Sequence, residues 1–248
     1  MFASFVIVLS FISVIPVPQR MIPLWDSLSL RWFCPMLPVV GVIFGALWLL
    51  LWKVLTCAQM FPPLLRGFVM MVLTLALTGG LHLDGLMDTC DAIFSHQDRE
   101  TRLRILSDTH AGSFAVMGCV IVLMAKTLVF AELLTLTPNP YSLFFIPVFS
   151  RLGMAFLLNT LPFAKDGGLA VMLGGSRRKK DNIFLVSMMI LLCLMGSWSV
   201  AVVFVLCLML WRRLCMHMFG GITGDLLGAF VEASEVMMMF GMVIEECM

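Results

Sequence analysis

Three aspartates stand within eight positions in GGLHLDGLMDTCD, residues 79–91, immediately after a strongly apolar run. On a helix at 100° per residue, Asp84, Asp88 and Asp91 fall at about 0°, 40° and −20°, a single narrow stripe spanning roughly 10 Å of axis. Carboxylates so close repel one another, and no lysine or arginine lies three or four residues from Asp84 or Asp88 to neutralise them. A hard divalent cation answers that need. Mg²⁺, with Mn²⁺ as the second choice, takes one or two carboxylates and completes its shell with phosphate oxygens and water. The stripe therefore reads as a metal platform for a phosphorylated substrate, with Asp84, Asp88 and Asp91 as ligands. Gly85 reads as the gap through which a bulky ligand reaches the backbone. The bland alternative is a solvated polar face. His82 lies at about 160°, off the stripe, and joins it only if the helix begins at Asp84. His82 and Asp91 are the candidates for the base that takes a hydroxyl proton.

A second acidic constellation follows the glycine-rich turn GGITGD, residues 220–225. Gly221, Thr223 and Gly224 open a helix whose free N–H groups suit a phosphate. Asp225 and Glu232, seven residues apart, share one face of it, with Glu235 a turn beyond. Acids inside an apolar helix are costly and tend to be functional, so Asp225 and Glu232 are read as metal or nucleotide ligands. The alternative is pairing with a buried cation. Phosphate-binding candidates are Arg99 and Arg102, which share a face three residues apart, Asp108 and His110 before the next apolar run, and the intramembrane Lys126 and Arg151. Lys126 and Arg151 are equally open to structural pairing with Glu132, Glu232 or Glu235.

These residues must be carried by membrane helices. The chain has 248 residues, of which 61% are hydrophobic and 12% charged, with mean hydropathy +1.04. No soluble domain hides that much apolar sequence, and the runs are continuous rather than alternating. An all-α, polytopic helical bundle of seven or eight transmembrane or membrane-embedded helices is expected, as one domain over residues 1–248. Candidate segments lie at 2–16, 37–52, 64–81, 113–136, 142–161, 183–196, 198–211 and 226–244. The run 183–211 would be about 43 Å long as one helix, too long for a ~30 Å core, so it is split at Gly196-Ser197. With that split, the connections 17–36, 82–112, 162–182 and 212–225 fall on one side. They hold Arg20, Arg31, Arg99, Arg102, Arg104, Lys165, the run Arg177-Arg178-Lys179-Lys180, Arg212 and Arg213. The positive-inside bias makes that side cytoplasmic. The eight cysteines form no CxxC pair and read as small apolar residues. A net charge of +1 singles out no charged partner, and no nucleic acid is expected.

In this order, the stretches resemble the adenosylcobinamide-GDP ribazoletransferase (cobalamin synthase) family. SFISVIPVPQ at 10–19 is similar to its FxTRxPVP element, and LPVVGVIFG at 37–45 to its P-L-x-G-x-x-x-G helix. TGGLHLDGLMDTCDAIF at 78–94 resembles the hallmark, and LRILSDTHAGSFAVMG at 103–118 the element after it. PVFSR at 147–151 and GGITGDLLGAFVEASE at 220–235 complete the set. The resemblance implies Mg²⁺-dependent phosphodiester formation in a bacterial cytoplasmic membrane. α-Ribazole, or its 5′-phosphate, attacks adenosylcobinamide-GDP through the ribose 3′-hydroxyl, and GMP leaves. It also implies contact with membrane lipid and leaves a homo-oligomer open. This chain departs from the family in Asp108-Thr109-His110-Ala111-Gly112, where D-S-R-x-G is usual, in Lys165, where an arginine is common, and in Ala92. Histidine and lysine lack the bidentate guanidinium fork, which weakens both positions as phosphate clamps.

Two other functions fit parts of the pattern. A CDP-alcohol phosphotransferase would show D-G-x2-A-R, but Asp84-Gly85 is followed by Leu86-Met87-Asp88-Thr89 without the arginine. A cation transporter would place its ligands near the bilayer midplane in repeated halves, and no repeat is evident.

Overall fold

A computed structural model of the chain describes residues 2–17, 32–57, 61–136, 140–167, 171, 179–195 and 197–248. Arg20, Arg31, Arg177, Arg178, Gly196 and the Pro18-Gln19 end of the N-terminal motif lie outside these, as does the side chain of Lys179. Every regular element of the described chain is a helix. Its elements are α1 (Phe2–Ile12), α2 (Phe33–Cys57), α3 (Pro63–Thr78), α4 (Leu81–Phe94), α5 (Arg99–Ile105), α6 (Ser113–Leu136), α7 (Tyr141–Thr160), α8 (Lys179–Met195), α9 (Trp198–Leu214, continued by a π turn at Cys215–Phe219) and α10 (Gly224–Cys247).

Among the described residues, five helices are long and apolar enough to cross a membrane: α2, α6, α7, α9 with its π turn, and α10. The pair α3–α4 passes as a sixth only as a span bent by 93°. Gly79 and Gly80 cause that bend. Both are left-handed (φ 61° and 79°), and their N–H groups close onto Ala76 and Leu75 to stop α3. Expected segment 64–81 therefore ends early, and the acids start a new helix in a new direction. The 183–211 run is two helices, as the length argument required. Segment 2–16 is shorter than expected. Pro16 disfavours helix at Ile15, and α1 stops at Ile12, too short to cross unaided.

The helices pack through small residues, as bilayer helices must when lipid offers no hydrophobic drive. Gly41 and Gly45 set α2 against the backbone of α7 at Pro147–Val148 and Phe144. The last helix is central, touching α4, α6, α7 and α9.

Candidate active site

The acids of α4 and α10 meet through two glycines. A Cβ on Gly85 would lie 2.7 Å from the Asp225 carbonyl oxygen and 2.9 Å from its Cα. One on Gly228 would lie 3.1 Å from the His82 Cα. Backbone therefore rests on backbone, and no larger residue fits at Gly85. That corrects the expectation for this position: its open side receives α10, not a ligand. The consequence is that Asp84 and Asp225, remote in sequence, line one cleft, with Asp88 near enough to feel both charges.

Their cleft encloses roughly 1000 Å³ including its open mouth, lined by His82, Asp84, Ser107, Lys165, Gly224 and Asp225 among others. Asp84 is exposed, while Asp88 and Asp225 are half-buried. Helix α4 is not one of the five spans. Burial, then repulsion from Asp84, Asp225, Asp91 and Asp108, pushes the Asp88 carboxyl up to about 7. A positive charge placed among these groups would relieve that repulsion. Among the described residues, no three His, Cys, Asp or Glu side chains form a ready-made cage for an ion. The donor set fits a cation that draws on one or two carboxylates and takes the rest of its shell from phosphate and water.

The second wall is the turn before α10. Its strand-like edge pairs with the loop after α7: Ile222 donates to Pro162 (2.9 Å) and accepts from Ala164 (3.1 Å). This pairing brings Lys165 into the cleft, where its Nζ donates to Ser107 Oγ at 2.8 Å. Ser107 escaped the sequence reading, and Lys165 entered it as a loop charge and a departure from the family pattern, not as a site residue. Each faces the site through loop contacts that carry no periodic signal. Thr223 caps α10, its hydroxyl accepting from Leu226 N at 3.3 Å and donating to Asp225 at 3.4 Å. Its hydroxyl is thus engaged in the helix rather than free for phosphate. A Cβ on Gly224 would meet nothing within 4 Å, so that stretch of backbone stands open to the cleft. Gly221 is buried against Pro162 and Ala164 and packs the loop.

Several expected ligands are engaged elsewhere. Asp91 accepts N–H bonds from Gly112 (2.6 Å) and Ala115 (2.9 Å), one on each oxygen, at the start of α6. Both oxygens of the expected ligand and base are thus engaged by backbone. Lys126 pairs with Glu232 at 2.6 Å and Glu235 at 3.0 Å, all buried. Arg151 pairs with Glu235 and donates to Ser150 at 2.9 Å, and its guanidinium lies 4.8 Å from the Phe44 ring centroid. Lys126, Arg151 and Glu232 therefore meet Glu235 in an interhelical ion cluster, the pairing that the sequence left open; a charge buried in hydrocarbon needs its partner close by. Glu132 takes no part in it. Arg99 lies against Gly220 and donates to the Ala164 carbonyl at 3.4 Å. Asp108 and His110 bond each other at 2.7 Å on the exposed side of their connection, and His110 holds the Asp108 carboxyl below its usual value. Neither they nor Arg102 line the cleft. His82 does: helix α4 already includes it, it is buried, and its Nε2 has no hydrogen-bond partner among the described residues.

Fold and site together define a polytopic helical membrane protein with an acidic cleft where a broken helix meets the start of the last one. The chain belongs to the cobalamin-5-phosphate synthase family, whose model matches residues 4–243. It is similar to the adenosylcobinamide-GDP ribazoletransferase of Clostridium botulinum (strain Alaska E43 / Type E3), 30% identical with 97% of this chain and 96% of the relative covered. The enzymes of that name from Desulfitobacterium hafniense (strain Y51) and Halalkalibacterium halodurans are 33% and 32% identical, covering 95% and 91% of this chain and 94% and 89% of their own lengths. No solved structure matches the chain.

Proposed function

We propose that this chain is an adenosylcobinamide-GDP ribazoletransferase. α-Ribazole, or its 5′-phosphate, attacks the cobinamide-side phosphorus of adenosylcobinamide-GDP through its ribose 3′-hydroxyl. The new P–O bond replaces the bond to GMP, which leaves, and the hydroxyl proton passes to a base. The observation that carries the reading is the Gly85–Asp225 contact, which sets the Asp84 and Asp225 carboxylates in one cleft beside an open helix N-terminus.

Transfer of this kind needs positioning and charge neutralisation more than covalent help. Asp84, Asp88 and Asp225 are the residues to hold Mg²⁺, or Mn²⁺ in its place. Bound there, the ion supplies compensation for the diphosphate charge. Gly224 offers the phosphates backbone N–H groups and the positive end of α10. Lys165 adds an ammonium at the same wall. With Asp91 engaged, His82 is the candidate base, and its partnerless Nε2 supports that role. The cleft shares its side of the membrane with Arg99, Arg102, Arg104, Lys165, Arg212 and Arg213, which supports a cytoplasm-facing site in a bacterial inner membrane.

The test uses purified protein with both substrates, with Mg²⁺ and with chelator, following GMP and the corrinoid product by chromatography. GMP and product appearing together, only with the metal, is the expected result. Failure to form product sinks the assignment, whereas turnover in chelator sinks the metal role alone.

A further inference from the structure

The connection from α4 to α6, residues 95–112, is tied down at three points. Near its start, Arg99 lies against Gly220 and reaches the Ala164 carbonyl. Midway, Ser107 receives the Lys165 ammonium at 2.8 Å and lines the cleft beside Leu106. At its end, Gly112 and Ala115 donate to the two oxygens of Asp91 at 2.6 and 2.9 Å. The first two ties are single contacts from flexible side chains on the surface. The third is a pair of charge-assisted bonds at the N-terminus of a membrane helix, where the backbone dipole favours a carboxylate.

The surroundings are shaped to this third tie. A Cβ on Gly112 would stand 2.7 Å from both Asp91 oxygens, so only glycine lets the carboxylate come this close. One helical turn along the same seam, Cys90 fills the space left by Gly118, and the Phe94 and Phe114 rings meet at 5.6 Å. Asp91 follows Asp88 by three residues on one face. Fixing the Asp91 carboxylate to α6 therefore fixes the rotation of α4 about its axis, and with it the aim of Asp88 and Asp84.

We infer that Asp91 is a positioning residue: through the Gly112 and Ala115 N–H groups it sets the rotation of α4 and holds the 95–112 connection at the rim of the acidic cleft. It is neither ligand nor base. The inference rests on the proposed reading of that cleft, but its decisive readouts do not need turnover.

The experiment compares the full-length parent with Asp91→Asn, Gly112→Ala, their combination, and Asp88→Asn, all in detergent or nanodiscs. Hydrogen exchange is read on peptides covering 106–116, and Mn²⁺ binding by electron paramagnetic resonance. Asp91→Asn keeps at most one acceptor, and Gly112→Ala pushes the carboxylate away. Both are expected to speed exchange at the 112–115 amides about tenfold, as the loss of one good hydrogen bond implies. Mn²⁺ half-saturation should stay within about twofold of the parent in both, while Asp88→Asn weakens it more than about tenfold and leaves 112–115 protected. Where the parent turns over, the two single variants should move KM and kcat in the same direction, and the combination should add less than about twofold to either. Loss of Mn²⁺ binding in Asp91→Asn comparable to that in Asp88→Asn overturns the proposal. So does unchanged 112–115 exchange in Asp91→Asn, which decides the matter even if Gly112→Ala fails to fold. If the parent shows no turnover, the function proposed above fails, and the exchange data still decide the role of Asp91.

Discussion

Replacing Gly85 by alanine tests the contact on which the site depends. The added methyl would start 2.7 Å from the Asp225 carbonyl oxygen and 2.9 Å from its Cα, where ordinary contacts begin at 3.4 Å. Both obstacles are backbone, so no side chain can swing aside. Helix α4 must withdraw from α10 by roughly 0.5–0.7 Å. Overpacking of this kind costs about 1–3 kcal/mol, which for a chain of this size lowers the melting temperature by about 2–12 °C. The larger effect falls on catalysis: a displacement approaching 1 Å between Asp84, Asp88 and Asp225 is expected to slow GMP release by about ten- to a hundredfold. The assay is GMP release under saturating Mg²⁺, paired with a thermal melt of the detergent-solubilised protein. Gly224→Ala is the control, since its methyl points into open space and leaves the helix contact untouched. It should leave the melt within about 1 °C while weakening use of the nucleotide substrate, because it crowds the open N-terminus of α10. A Gly85→Ala protein with the parent's melting temperature and rate would refute the packing and the site built on it.

Two further outcomes follow from the site and the core beneath it. Glu235→Gln leaves Lys126 and Arg151 sharing the single charge of Glu232, and is expected to destabilise by about 3–5 kcal/mol; Glu232→Gln, which leaves Glu235 in place for both cations, should cost clearly less, as thermal melts would show. Asp225→Asn should raise the Mg²⁺ concentration needed for half-maximal rate by about tenfold or more without altering the melt by more than about 2 °C, and a variant with the parent's metal dependence would remove Asp225 from the ligand set.

How far sequence anticipated these arrangements differs from residue to residue. The Asp84–Asp88 stripe and the Asp225 position were legible because helical periodicity alone puts residues on a face. The break at 79–80 was half visible: paired glycines announce a stop, but not a right-angle turn. Gly85 was misread because periodicity says which face a residue occupies and nothing about which helix covers it. The contacts of Asp91 were hidden for the same reason, its partners being 21 and 24 residues away across a loop. For Lys126, Arg151 and Glu232, the cost of burying charge required partners, and the choice between pairing and catalysis needed the packing of α6, α7 and α10. Ser107 and Lys165 sit in loops, where neither pattern nor hydropathy carries information.

The ion cluster bears on how the chain is made. Lys126 precedes Glu235 by 109 residues, so at about 5–20 residues per second a ribosome delivers the counter-charge roughly 5–20 s after the lysine. During that interval α6 and then α7 must wait at the insertion machinery or in the lipid with an unmatched cation, at about 2.5–3.5 kcal/mol each on insertion scales. The final helix thus completes the molecule in two senses. It brings the carboxylates that let the two earlier helices settle, and the same docking delivers Asp225 to Asp84. A nascent chain cut short before residue 225 would have neither, so quality control that senses orphaned membrane charge would also be screening for an assembled acidic cleft.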